Sequence, residues 1–282
     1  MKQPVLQNQA FCQDVESRVR ASRHFDLWWL GQSGFLIQWQ GRRFLFDPYL
    51  SDSLTYKYAR TNKPHVRISE RVVEPQRLTD ISFVTSTHNH TDHLDAETLL
   101  PLWQVNPLMQ LVVPRANQDF AANRLGCGTD ALLPIDAGQQ VKVGPFTIHA
   151  VPAAHEQFDQ DEQGRFRHLG YLVQFDGWCI YHSGDTIRYP QMNEWLRPFE
   201  IDLALLPING RLPSRGVPGN LWGDEAAQLA QDIGARTVIP HHYDLFAFNT
   251  VSPDDFERAC QQRGQAYVIL EQGGRFCSEV LA

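Results

Sequence analysis

Thr87-His88-Asn89-His90-Thr91-Asp92-His93-Leu94-Asp95 gathers three histidines and two aspartates into one short stretch. Imidazole nitrogens and carboxylate oxygens are donors that Zn²⁺, Mn²⁺ and iron accept. In extended chain, side chains two apart point the same way, so His88 and His90 can share one ion. A turn then lets Asp92 and His93 face a neighbouring position, and so short a loop can hold half of a two-metal site. A polar loop enriched in histidine by chance is the blander account. Three histidines at this spacing behind a strand favour ligation.

The elements around the stretch fit that role. Asp80–Ser86 is apolar and β-branched and reads as a buried strand, and Ala96–Leu100 reads as the start of a helix. The cluster therefore belongs on a strand-to-helix loop, where open α/β sheets place ligand sites. Upstream, residues 10–24 can form an amphipathic helix with Phe11, Val15 and Val19 on one side and Arg18, Arg20 and Arg23 as a solvated face. Three strands follow in hairpin fashion over 25–30, 35–39 and 43–46, the last ending at Asp47-Pro48-Tyr49. Gly31-Gln32-Ser33-Gly34 between the first two reads as a turn and not as a nucleophile elbow. Strands are predicted over 109–114, 141–143, 146–151, 171–175, 178–181, 203–208, 237–240 and 266–270. Helices are predicted over 117–125, from 224 to 233, and after Pro253. Hairpins first and alternating strands and helices later predict mixed sheets with helices outside. No repeat or linker interrupts the chain, which reads as one domain over 1–282 with 1–24 as an N-terminal extension.

Composition narrows the function classes. With 282 residues, 43% hydrophobic and 20% charged, the chain is an ordinary globular protein with an ample core. A formal charge of -7 makes nucleic acid or an anionic membrane a poor default partner. No segment reaches the roughly 20 apolar residues of a membrane span. Five cysteines without CxxC spacing, and no signal-like N-terminus, point to a reduced, cytoplasmic setting. A homo-oligomer is compatible with all of this. Against the acidic whole, residues 51–72 are basic (Lys57, Arg60, Lys63, Arg67, Arg71), with Tyr56, Tyr58 and His65 among them. They form either a solvated surface excursion or a wall over a small anionic substrate.

The HxHxDH pattern at 88–93 resembles the signature of the metallo-β-lactamase superfamily, and the likeness extends from about Trp28 to the C-terminus. Trp28-Trp29-Leu30-Gly31 and Phe46-Asp47-Pro48 look like that family's opening hairpins. His155 in Val151-Pro152-Ala153-Ala154-His155, Asp185 in Ser183-Gly184-Asp185-Thr186 and His242 in Ile239-Pro240-His241-His242 look like its later motifs. More narrowly, Trp28–Gly31, Tyr181–Asp185 and Val238–His242 resemble the L-ascorbate 6-phosphate lactonase branch.

The resemblance implies a four-layer αββα sandwich, with two mixed β-sheets packed face to face and helices outside. It implies two divalent ions, zinc or manganese: one held by His88, His90 and His155, the other by Asp92, His93 and His242, with Asp185 bridging. Such a pair activates water for attack on a carbonyl or phosphoryl centre, and Asp92 can handle protons as the intermediate collapses. Opening of a sugar-acid phosphate lactone is the activity favoured. Phosphodiester hydrolysis and a non-catalytic metal-binding module are the alternatives. His241 or His242 ligates, and the resemblance favours His242. His182, His241 and Asp47 are candidates for supporting the ligands. Asn209, Arg211 and Arg215, in a loop after a strand, are candidates for gripping the substrate's anion. His24, His65 and His168 carry no motif.

Overall fold

A computed structural model describes residues 1–18 and 23–281. Helix α1 (Asn8–Ser17) comes first and is shorter than the predicted 10–24. Phe11 and Val15 are buried, and the Phe11 ring meets Trp28 edge-on at 6.3 Å. Val19 and Arg20 of the predicted helix lie outside the described residues.

Strands β1 (Phe25–Gly31), β2 (Gly34–Trp39) and β3 (Arg42–Phe46) form the expected antiparallel meander. After the short α2 (Ser53–Tyr58), β4 (Ile81–Thr85) joins β3 in parallel. Helix α3 (Ala96–Val105), β5 (Gln110–Pro114), α4 (Gln118–Leu125) and β6 (Leu132–Ile135) continue the parallel part. A second sheet holds β7 (Gln140–Val143), β8 (Phe146–Pro152), β9 (Leu169–Phe175) and β10 (Trp178–His182), paired antiparallel. After α5 (Met192–Leu196), β11 (Leu203–Pro207), α6 (Gly223–Asp232) and β12 (Thr237–His241) complete it in parallel. Helix α7 (Asp254–Arg263) precedes β13 (Arg275–Cys277), which returns to pair with β1.

The chain is thus the predicted pair of mixed sheets, of seven and six strands, with helices outside. Period-two alternation builds the layers. On the first sheet, Leu27, Trp29, Phe44, Phe46, Phe83 and Val112 face the second sheet's Ile148, Val173, Phe175 and Ile180. Phe44 meets Phe146 at 5.1 Å, and Phe25 meets Phe175 at 5.8 Å. The intervening Trp28, Leu30, Leu45, Val84 and Leu111 pack the other way, with Leu99 and Leu102 of α3 and Ala121 and Leu125 of α4. Helix α6 packs on β11 and β12.

The strand expected over 266–270 is a correction. Among the described residues only Tyr267 bridges β12, at Val238, and the strand that closes the first sheet is β13. That strand is three residues long, Arg275-Phe276-Cys277, too short to show a period. The C-terminal ends of β3, β4, β8, β10 and β12 open on one edge of the sandwich.

Candidate metal centre

The loop after β4 is shaped by its own backbone. Ser86 Oγ donates to the His88 carbonyl at 2.8 Å, and the N–H groups of His93 and Leu94 close a turn on the His90 carbonyl at 3.1 and 2.9 Å. That turn separates two sets of donors. His88 and His90 meet His155, from the loop after β8, and Asp185, from the loop after β10. Asp92 and His93 meet His242, which follows β12. Within each set, one donor atom per residue lies within 4.8 Å of the others. Asp185 stands between the sets: its Oδ2 is 3.6 Å from His155 Nε2 and 3.3 Å from His242 Nε2, and its Oδ1 is 3.4 Å from His93 Nε2. Glycine is required just before it. Gly184 has φ +60, and a Cβ there would come within 2.6 Å of the Thr87 side chain.

Supporting hydrogen bonds set which ring nitrogen faces inward. Asp47, fully buried at the end of β3, accepts from His93 Nδ1 at 2.7 Å, from the Thr85 hydroxyl at 2.9 Å and from the Thr87 hydroxyl. With Nδ1 committed to Asp47, His93 turns Nε2 to the site. His155 Nδ1 donates to the Gly219 carbonyl at 2.8 Å, with the same effect. His182 donates through Nε2 to the Ser33 carbonyl at 2.9 Å, accepts from the Gly184 N–H at 3.3 Å, and stacks on Phe46 and His241. It holds the Asp185 loop from beneath. His241 contacts the Ser33 hydroxyl at 3.2 Å and belongs to neither set, whereas His242, at φ +65, turns into the second.

The electrostatics of the two sets differ. Burial, then His93 and His90, holds His88 well below the usual histidine range, and burial pushes His155 down to about 4. These rings are neutral, with lone pairs free. In the second set burial again opposes the charged form, but Asp185 and then Asp92 outweigh it and hold His93 well above the usual range. Asp185 likewise raises His242 to about 9 against its burial. Burial would raise Asp92 and Asp185, yet both stay below the carboxylate range, Asp92 mainly through His93 and Asp185 mainly through His242.

The donors fit divalent ions. Buried polar atoms are ordinarily paired, but His88 Nε2 in the first set, His93 Nε2 in the second and Asp185 Oδ1 have no hydrogen-bond partner. All-nitrogen-and-oxygen sets of this kind suit Zn²⁺, Mn²⁺ or Fe²⁺.

The site forms the floor of a cavity of about 440 Å³, lined by His90, Asp92, His155, Asp185 and His242. The 51–72 segment makes one wall, through Leu54, Lys57, Tyr58, Lys63 and His65; Phe120, Arg124 and Phe248 also line the cavity. Arg124 donates to the carbonyls of Asn89 at 2.7 Å and Leu94 at 3.1 Å, clamping the ligand loop.

The predicted anion contacts after β11 are a correction. Arg211 makes a two-pronged ion pair with Glu225 at 2.5 and 2.6 Å and does not line the cavity. Arg215 donates to the Asn209 carbonyl and lines a neighbouring groove, while Asn209 is fully buried and bonded to Asn220 and Asn249. All three hold their own loop together. Their partners come from the loop itself, from Glu225 of α6 and from Asn249 and Thr250 after β12.

Other residues at the site were not legible in the sequence. Gln32, in the β1–β2 turn, donates to Asp92 Oδ2 at 2.8 Å. His168 packs against His88, with ring centres 4.7 Å apart, and burial pushes it down to about 3. Neither lies in a motif. The nearest signal for Gln32 was a polar residue set between two largely apolar strands.

Residues 42–243 match the Beta-lactamase superfamily domain. A metal-dependent hydrolase of Rubrobacter xylanophilus is 27% identical over 242 residues, 84% of this chain and 88% of that protein. The N-acyl-phosphatidylethanolamine-hydrolyzing phospholipase D 1 of Caenorhabditis elegans is 27% identical over 241 residues, 79% of this chain and 64% of that protein. A metallo hydrolase from the archaeon Ignicoccus hospitalis shares the fold, with TM-score 0.66 at 20% identity, covering 90% of this chain and 98% of that one.

Proposed function

The chain belongs to the metallo-β-lactamase superfamily, and on that premise we propose that it is a two-metal hydrolase of small anionic esters. One observation carries the reading: Asp185 lies between two donor sets, where a single carboxylate can serve both. Bound there, a pair of divalent ions would acidify water and polarise the bond to be cleaved. The protein's own part is to orient and enclose. His88, His90 and His155 would hold one ion, and Asp92, His93 and His242 the other. Asp92 also lines the cavity and is placed to take or return a proton at its carboxylate. Lys57 and Lys63 have no carboxylate partner among the described residues, and with Arg124 they give the cavity a positive rim for an anion.

The favoured substrate is the lactone of a sugar-acid phosphate, such as L-ascorbate 6-phosphate. The positive rim supports a charged substrate, and the branch likeness of Trp28–Gly31, Tyr181–Asp185 and Val238–His242 supports a lactone. Phosphodiester hydrolysis is the second reading, favoured by the worm relative's name and covered length. No helix among the described residues is long and apolar enough to cross a membrane. Five free thiols fit a reducing cytoplasm.

The test is a panel of lactones with and without phosphate, beside phosphodiesters, assayed on metal-loaded protein. The reading expects the phosphorylated lactone to have the highest kcat/KM. Equal kcat/KM for phosphorylated and plain lactones would overturn the substrate. Turnover confined to phosphodiesters would install the second reading, and turnover of none, a non-catalytic module.

A further inference from the structure

Gln32 sits where a ligand would. Ligand atoms bound to one ion at about 2.0–2.2 Å lie about 3 to 3.5 Å from one another. In the second donor set, Asp92 Oδ2 and His242 Nε2 are 3.6 Å apart. The amide nitrogen of Gln32, Nε2, is 2.8 Å from that same Asp92 Oδ2 and 3.1 Å from that same His242 Nε2. The amide therefore stands inside the second donor set, within hydrogen-bond reach of two of its ligand atoms, and not behind them as a supporting group would.

The backbone commits the residue to this place. Gln32 is buried, with 2% exposure, and has φ +49, a conformation uncommon outside glycine. Its carbonyl accepts from Trp29 Nε1 at 3.0 Å and from the backbone N–H of His242 at 2.9 Å. The second bond ties Gln32 directly to a residue of the same donor set. Beneath it, the next residue, Ser33, is held by both His182 and His241. A turn that any two polar residues could form is fixed from three sides.

As it stands, the amide nitrogen donates to the Asp92 oxygen and lies against the His242 ring nitrogen. Those are the two atoms an ion would take, so loading the set must displace the amide N–H. The amide has a second face: rotation about its last bond exchanges Nε2 for Oε1, a neutral oxygen acceptor. We propose that Gln32 is a ligand residue of the second metal set and presents Oε1 to the ion when the ion is bound. This rests on the two-metal reading above. It adds an oxygen donor without charge to a set that already holds Asp92 and shares Asp185, which suits the harder divalent ions.

The experiment is a titration of chelator-stripped protein with Co²⁺, read by calorimetry and by the visible absorption of the bound ion, for wild type, Gln32→Ala and Gln32→Glu. Circular dichroism of each metal-free variant confirms folding. In wild type two equivalents bind. In Gln32→Ala the second equivalent binds at least about tenfold more weakly and its absorption bands shift, with the first unchanged. Gln32→Glu, which keeps an oxygen at the same reach, retains the second equivalent and serves as the readout should Gln32→Ala misfold. Second-equivalent binding in Gln32→Ala as tight as in wild type, or tighter, would overturn the proposal, as would unshifted bands; tighter binding would make the amide a competitor for the site. Uptake of only one equivalent by wild type would instead bring down the two-metal reading itself.

Discussion

On the cavity floor, donors arrive from four strand ends, every one buried or half-buried, and three of their atoms have no hydrogen-bond partner. On the rim, Lys57 is exposed at the end of the short α2 and Lys63 is half-buried in the irregular chain after it, and their contacts are a hydroxyl and a carbonyl. Both regions present unsatisfied electrostatics to the same cavity. The floor is positioned by strand register and a second layer of hydrogen bonds. The rim is joined by single hydrogen bonds between segments across the opening. Such a division lets one floor serve different substrates, since floor chemistry and rim recognition can change independently.

Breaking the floor has the largest expected effect. Asp185→Ala removes the carboxylate common to both sets, and kcat/KM falls by about a thousandfold or more, equivalent to several kcal/mol of barrier. A loss under tenfold would show that Asp185 does not link the sets. One layer down, Asp47→Asn leaves every donor in place but weakens the grip on His93 Nδ1. Metal affinity, measured by competition with a chromophoric chelator, drops by about 10- to 100-fold.

The rim responds differently. Lys57→Gln and Lys63→Gln each raise KM for an anionic substrate by about three- to tenfold, with kcat nearly unchanged, and added salt shrinks the difference. A fall in kcat with constant KM would place these lysines at the reacting bond. Smallest is the loop that was expected to grip the anion. Arg211→Ala leaves KM alone and costs about 0.5–1 kcal/mol in chemical denaturation, because its ion pair with Glu225 is partly exposed. That cost depends on pH. Burial would raise the Glu225 pKa from 4.5, but Arg211 outweighs burial and lowers it. The pair's contribution is therefore full above pH 4.5 and is lost as pH falls through the lowered folded value. Wild type and Arg211→Ala should differ at pH 7 and converge as the pH falls below the lowered folded value.

The same contrast explains what the sequence revealed. His88, His90, Asp92 and His93 were legible because one motif behind one strand brings them together. Asp185 and His242 were legible through the resemblance to the superfamily's later motifs, each also following an apolar strand. The choice between His241 and His242 needed the turn at φ +65, which no pattern announces. Gln32 was invisible because its turn reaches the site only through pairing of β1 with β2 and contact with β12. Arg211 and Arg215 misled for the opposite reason. A cation after a strand looks free until the chain folds, and Glu225 at the start of α6 then claims Arg211. Lys57 and Lys63 differ only in having no such carboxylate within reach, a distinction that needs three dimensions. Strands with a period were placed well, and the short β6 and β13, of four and three residues, were not.

The central claim is that the two donor sets act as one catalytic unit. Chelator-stripped protein, reconstituted with Zn²⁺ or Mn²⁺ in steps, should be followed by turnover against metal bound per chain. The account predicts little activity at the first equivalent and full activity only as the second is filled. Full activity at one equivalent, unchanged by the second, would contradict it.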